Sequence, residues 1–173
     1  MGTQPETSTT HASAAVVFLR GGQGADLTAL RSGISKVKGV TDCAPVLGDW
    51  NFVLRIQAQG DEGVDAVVEG RLRPLPGVTA AEAHPCEEAL SADKGGAGKA
   101  SSYAVLDVES DKVEELCARL DALPGVTRRD VTDGGGQVVL KLSGESYRAV
   151  RKLLGDQVRL LSGVLRIKQL DII

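Results

Sequence analysis

Displaced by 86 residues, the chain matches itself. Residues 27–78 lie on residues 113–164 without a gap, and 12 of the 52 aligned positions are identical. The identities include Gly39-Val40-Thr41 with Gly125-Val126-Thr127, Gly48 with Gly134, Val53-Leu54 with Val139-Leu140, and Gly77-Val78 with Gly163-Val164. Self-similarity at a fixed offset marks a repeated structural unit and limits the folds open to the chain. The conserved periods say what that unit contains. Leu27, Leu30, Ile34 and Val37 fall on Val113, Leu116, Leu120 and Leu123, steps of 3, 4 and 3 that draw one face of an amphipathic helix. Phe52, Leu54 and Ile56 fall on Val138, Leu140 and Leu142, a step of two that draws one face of a strand.

Each copy therefore reads as strand, helix, strand, strand, helix, strand. In the first copy the predicted elements are 14–20, 26–37, 40–46, 51–57, 63–72 and 79–83. In the second they are 103–108, 112–123, 127–131, 137–142, 146–160 and 164–172. Leu75-Pro76-Gly77 and Leu123-Pro124-Gly125 stop helices and turn the chain. Gly48 and Gly134–Gly136 suit hairpins that need positive φ. The predicted fold class is α+β, with two ferredoxin-like βαββαβ domains at 13–86 and 102–173. A flexible linker is expected at 87–101 and a disordered tail at 1–12. Right-handed crossovers put both helices of a unit on one sheet face. The other face carries Val53 and Arg55, or Val139 and Lys141, and calls for a cover, for which the second copy is the nearest candidate.

Aromatic residues make up only 3% of the 173, so the cores must be aliphatic. A net charge of −3 gives no electrostatic reason to expect nucleic acid or an anionic membrane as partner. No apolar run approaches the ~18 residues of a spanning helix, and no signal peptide is visible. Cys43, Cys86 and Cys117 show neither CxxC spacing nor an even set, which suits reduced thiols in a cytoplasmic protein.

In the order and spacing of these motifs each unit resembles the effector-binding domain of the Lrp/AsnC regulators, also called the RAM domain. The residues that carry the resemblance in the first copy are Lys38-Gly39-Val40, then Leu47-Gly48-Asp49-Trp50-Asn51 leading into Phe52-Val53-Leu54, and Pro76-Gly77-Val78. In the second they are Pro124-Gly125-Val126, Asp133-Gly134-Gly135-Gly136-Gln137 and Ser162-Gly163-Val164. The resemblance implies a dimeric α/β-barrel arrangement and a small amino-acid-like effector bound where units meet. A homo-oligomer is expected because Leu170, Ile172 and Ile173 of the C-terminal segment 165–173 call for pairing with the other copy or a partner chain. The resemblance also implies that Gly48, Asp49, Trp50 and Asn51 line the effector cleft. Backbone N–H groups at Gly48 and Asp49 would hold a carboxylate, and Trp50 would cover the apolar end. Gly134, Gly135, Gly136 and Gln137 would be a degenerate second copy without recognition side chains.

Two departures bear on this. About a dozen polar residues precede the first strand, so no helix-turn-helix and no direct DNA binding is expected. The turn's usual acidic residue is Asn51 in one copy and Gln137 in the other, amides that accept a hydrogen bond without supplying negative charge. A plain hairpin in which Trp50 seals an interface is the competing reading of the same residues.

No Ser-His-Asp set, activated Cys-His pair or paired carboxylates assemble from the sequence, so no catalytic residue is assigned. His84-Pro85-Cys86 has no second cluster to complete a metal site, and neither metal nor cofactor is expected. Arg148, Arg151, Lys152 and Arg159 suit a solvated helix face. Three function classes stay open: a regulatory, non-enzymatic sensor of a small molecule, a protein-interaction adaptor without ligand, and an enzyme of the dimeric α/β-barrel class.

Overall fold

The computed structural model describes residues 12–88, 90–96 and 98–173. The tail expected to be disordered falls, apart from Ala12, outside these residues. Strands β1 (Ala14–Gly21), β2 (Val40–Pro45), β3 (Phe52–Gln57) and β4 (Val78–Pro85) form one antiparallel sheet in the order β2-β3-β1-β4. Strands β5 (Ala100–Val108), β6 (Val126–Thr132), β7 (Gln137–Gly144) and β8 (Val164–Asp171) form a second in the order β6-β7-β5-β8. The registers agree in detail: Asp42 stands opposite Arg55 and Arg128 opposite Lys141, each after an equivalent bulge.

Helices α1 (Leu27–Ser35) and α2 (Val64–Val67) back the first sheet, and α3 (Val113–Asp121) and α4 (Tyr147–Leu153) the second. Asp26 caps α1, its Oδ1 accepting from the Thr28 and Ala29 amides, and Ser146 caps α4 through the Ala149 amide. The second helix of each unit keeps nearly its predicted length but changes type part-way. At Val68 and at Leu154 the α-helix widens into a π-turn, closed by the Arg73 amide on the Val68 carbonyl and the Arg159 amide on that of Leu154.

Alternation along the strands sorts side chains into two layers. Ala15, Val17, Leu19, Leu54 and Ile56 meet Leu30, Ile34, Val64 and Leu72 from the helices, and Ala104, Leu106, Leu140 and Leu142 meet Leu116, Leu120, Val150 and Val158. The opposite sheet faces pack on each other through Val16, Phe18, Val53, Tyr103, Val139 and Leu170. The cover that the first sheet lacks is thus the second sheet of the same chain.

Two corners tie the sheets together. Val46 bridges Ile172, with the Leu47 amide on the Asp171 carbonyl at 2.9 Å and the Ile173 amide on the Pro45 carbonyl at 3.0 Å. The long C-terminal strand therefore pairs with the β2 edge of the other unit, which satisfies backbone groups an open edge would expose. At the other corner Cys86 bridges Thr132.

The segment expected as a flexible linker is bound instead. The Glu87 amide donates to the Val131 carbonyl at 3.0 Å and the Lys94 amide to that of Thr127 at 2.9 Å, and β5 begins at Ala100, inside the predicted linker. Polar composition reads as solvated coil, but β6 is an edge strand whose carbonyls accept from this segment.

Candidate functional site

Gly48 opens the turn between β2 and β3 at φ +125°, a backbone conformation that L side chains rarely adopt. A Cβ there would also stand 2.9 Å from Leu170 Cδ2, so the turn lies directly against β8 of the other unit. This approach brings Asp49 to Lys168, whose Nζ donates to Asp49 Oδ2 at 2.9 Å and holds that carboxyl below its ordinary range. Arg20, on β1, donates through Nε to the Asp49 carbonyl at 2.8 Å and lays its guanidinium 4.6 Å from the centre of the Trp50 ring. Phe18 lies beneath the indole, ring centres 6.1 Å apart.

Trp50 and Asp49 thus stand at the rim of a cleft of about 280 Å³ between the sheets, with Arg20, Glu82, Asp107, Gln137 and Lys168 among its lining. His84 enters the same cleft from β4. Its Nδ1 lies 2.6 Å from Asp133 Oδ2 and its Nε2 2.8 Å from Glu82 Oε1, while its ring meets Phe18 edge-on at 5.1 Å. A carboxylate on one ring nitrogen fixes an imidazole's orientation, and here both nitrogens are held. Asp133 reaches His84 from an unusual backbone, φ +54°, in the glycine turn of the second unit.

The eight residues singled out by resemblance do not all lie at one place. Asp49, Trp50 and Gln137 line the cleft, and Gly48 shapes its rim. Asn51 points away from it: its Oδ1 accepts the Gly21 backbone N–H at 2.8 Å, and its backbone N–H donates to the Leu19 carbonyl. The two bonds clamp the hairpin to β1. Gln137 donates to Asp107 Oδ1 at 2.9 Å. Gly134 and Gly135 line a separate, larger hollow of about 760 Å³ between α3, β6 and the segment after β4. The Gly136 amide closes its own turn on the Asp133 carbonyl.

Arg20, Glu82, Asp107 and Lys168 were not singled out, and His84 was weighed only as a metal ligand. They are inward-facing positions of β1, β4, β5 and β8, and their common signal is the period of two, applied to all strands and not to the third alone. Glu82 and Asp107 bring two carboxylates to the cleft.

The three cysteines are free thiols, and burial pushes Cys43 up to about 11 and Cys86 up to about 12, so neither is primed as a thiolate. Among the described residues no group of three His, Cys, Asp or Glu side chains is placed to hold a metal ion, and no helix is long and apolar enough to cross a membrane.

Residues 14–94 match the family model of the Lrp/AsnC ligand binding domain. The match covers the unit that carries the Trp50 turn and runs on into the bound linker. No curated protein sequence matches the chain. Among solved structures, the siroheme decarboxylase NirDL superposes at a TM-score of 0.69 with 10% identity, over 92% of this chain and 70% of that one. A ferredoxin-fold protein from Listeria monocytogenes, related to antibiotic biosynthesis monooxygenases, gives 0.50 with 8% identity, over 97% and 99%. AsnC of Escherichia coli gives 0.40 with 16% identity, over 43% and 50%. The first two share the fold of the whole chain, and the family-model match at residues 14–94 contains the Trp50 turn.

Proposed function

We propose that the chain is a regulatory sensor whose effector is a small molecule bearing a carboxylate, bound in the Trp50 cleft between two RAM-like units. The observation that carries this is the placing of the Trp50 ring against the Arg20 guanidinium, with the Lys168 ammonium on the neighbouring Asp49. An aromatic wall beside two cations suits an apolar body with an acidic end. Glu82 and Asp107 stand within the same cleft and suit an amino group, which makes an amino-acid-like effector the first candidate. A volume of about 280 Å³ lies near the lower end of ligand sites, ~300 Å³, and argues for a small molecule.

The two sheets of this chain already cover each other, so a homo-oligomer would add to this pair of units and would not be needed to build it. Transcriptional action would need a separate DNA-binding partner.

Trp50 is the chain's only tryptophan, so its emission reports the cleft directly. A saturable change on titration with amino acids and simple carboxylates, weakened by Arg20→Gln and Lys168→Gln, is the expected result. Flat titrations across the panel would leave the adaptor reading. The alternative reading as an enzyme of the dimeric α/β-barrel class draws on His84, held by Asp133 in a cleft as a proton-moving imidazole would be. Turnover of a bound ligand that is lost in His84→Gln but not in Lys168→Gln would favour it.

A further inference from the structure

At the opposite end of the space between the sheets lies a second polar layer. Register places Arg55 beside Val16 and Asp42 in the first sheet, and Lys141 beside Tyr103 and Arg128 in the second. Arg55 crosses to Asp130 at 3.2 Å with both side chains almost wholly buried, and Arg128 crosses to Asp42 at 2.8 Å. Within the sheets the layer holds three cations, Arg55, Arg128 and Lys141, against two carboxylates, Asp42 and Asp130. The third carboxylate is Asp93 of the linker. Its Oδ2 lies 3.1 Å from Lys141 Nζ and 3.5 Å from Arg128 Nε, and its Oδ1 accepts the Gly95 amide at 2.8 Å.

The same segment supplies the Ser91 carbonyl to Arg55 Nη2 at 2.7 Å and the Ser91 amide to Asp130 Oδ1 at 2.8 Å. Residues 91–94 therefore cover this end and fill it with an acid. Donors still exceed acceptors underneath: Arg55 Nη1, Arg128 Nε and the Tyr103 hydroxyl are buried without an aligned hydrogen-bond partner. Buried donors of this kind call for an acceptor.

We propose that this end of the interior is a carboxylate-binding site whose present occupant is the chain's own Asp93, and that a small free carboxylate takes the same place when Asp93 is withdrawn. The chemistry of the ligand is given by the occupant: a carboxylate shared between an ammonium and a guanidinium, the usual partners of such a group. The site is distinct from the Trp50 cleft and does not rest on the reading of that cleft. A tethered group acts at an effective concentration that is roughly millimolar for short flexible connections, so a free acid must reach or exceed that range to compete.

The test is thermal unfolding of Asp93→Ala in sodium acetate against sodium chloride of equal ionic strength. The expected result is a saturable rise in Tm specific to acetate, absent from the wild-type chain and lost again when Lys141→Met is added. Equal responses to the two salts in Asp93→Ala, or an undiminished acetate response in the double variant, would overturn the proposal. Should Asp93→Ala not fold, the wild-type chain carries the test through amide exchange at Ser91 and Lys94, held by Asp130 and Thr127. Acetate at high concentration is expected to speed their exchange and chloride is not, and identical exchange in both salts overturns the proposal as well.

Discussion

Asp42 and Arg128 stand at equivalent positions of the two sheets, and their side chains meet at 2.8 Å across the interface. In a symmetric dimer of one unit, equivalent positions carry the same residue and so the same charge. Here the two have opposite charge and complete each other. Glu82 and Lys168, also 86 residues apart, carry opposite charges as well, although they pair with His84 and Asp49 and not with each other. The two units of this chain are therefore complementary to each other and not each to itself.

Reversing one charge should accordingly cost more than reversing both. Asp42→Arg alone, or Arg128→Asp alone, is expected to lower unfolding free energy by about 1–3 kcal/mol, since each leaves a half-buried charge without its partner. The double reversal should recover most of the loss. A double-mutant cycle by chemical denaturation measures the coupling, and additive losses would show that the pair contributes nothing.

The buried pair Arg55–Asp130 should behave differently. Asp130→Ala leaves a guanidinium in the interior with only the Ser91 carbonyl at 2.7 Å, and a loss of about 3–5 kcal/mol is expected. Arg55→Met combined with Asp130→Leu removes both charges and should lie much nearer the wild type. Equal losses in the single and double variants would mean that packing, not charge, sets the effect.

Leu170 links stability to the candidate cleft. It is buried beneath the Gly48 turn and packs in the layer between the sheets. Leu170→Ala should cost about 2–5 kcal/mol. It should also shift Trp50 emission to longer wavelength as the rim loosens and water enters. Loss of stability with unchanged emission would separate the two.

Acid should loosen the linker. Burial disfavours the Asp93 carboxylate, but the Gly95 amide, Lys141 and Arg128 outweigh it and hold its pKa below the ordinary value. A depressed folded pKa means that the unfolded chain binds more protons in that range, so stability is present above the ordinary carboxylate pKa of about 3.9 and is lost as pH falls through the lower folded value. Asp93→Asn should therefore reduce the slope of stability against pH below about 4. Urea midpoints of the two proteins across pH 2.5–5, a window set by roughly those pKa values, measure it, and parallel curves would remove Asp93 from the acid response.

The offset of 86 residues and its two periods determine the βαββαβ units, because periodicity is a local property that needs no knowledge of the partner. The helix starts at Asp26 and Ser146 were legible for the same reason, as the apolar period begins there. Gly48 was legible as a turn, and Trp50 as a residue at a contact between units. The rest depended on which sheet face meets which. Arg20, Glu82, His84 and Lys168 come from three different strands and reach one cleft only after the two sheets pack. Asn51, placed beside Trp50 by sequence, turns away because its Oδ1 is taken by the Gly21 amide at the end of β1. The linker's polar, glycine-containing composition says nothing of the β6 edge that binds it or of the basic layer that takes Asp93. Local pattern decides what each segment becomes, and long-range packing alone decides which charges come together.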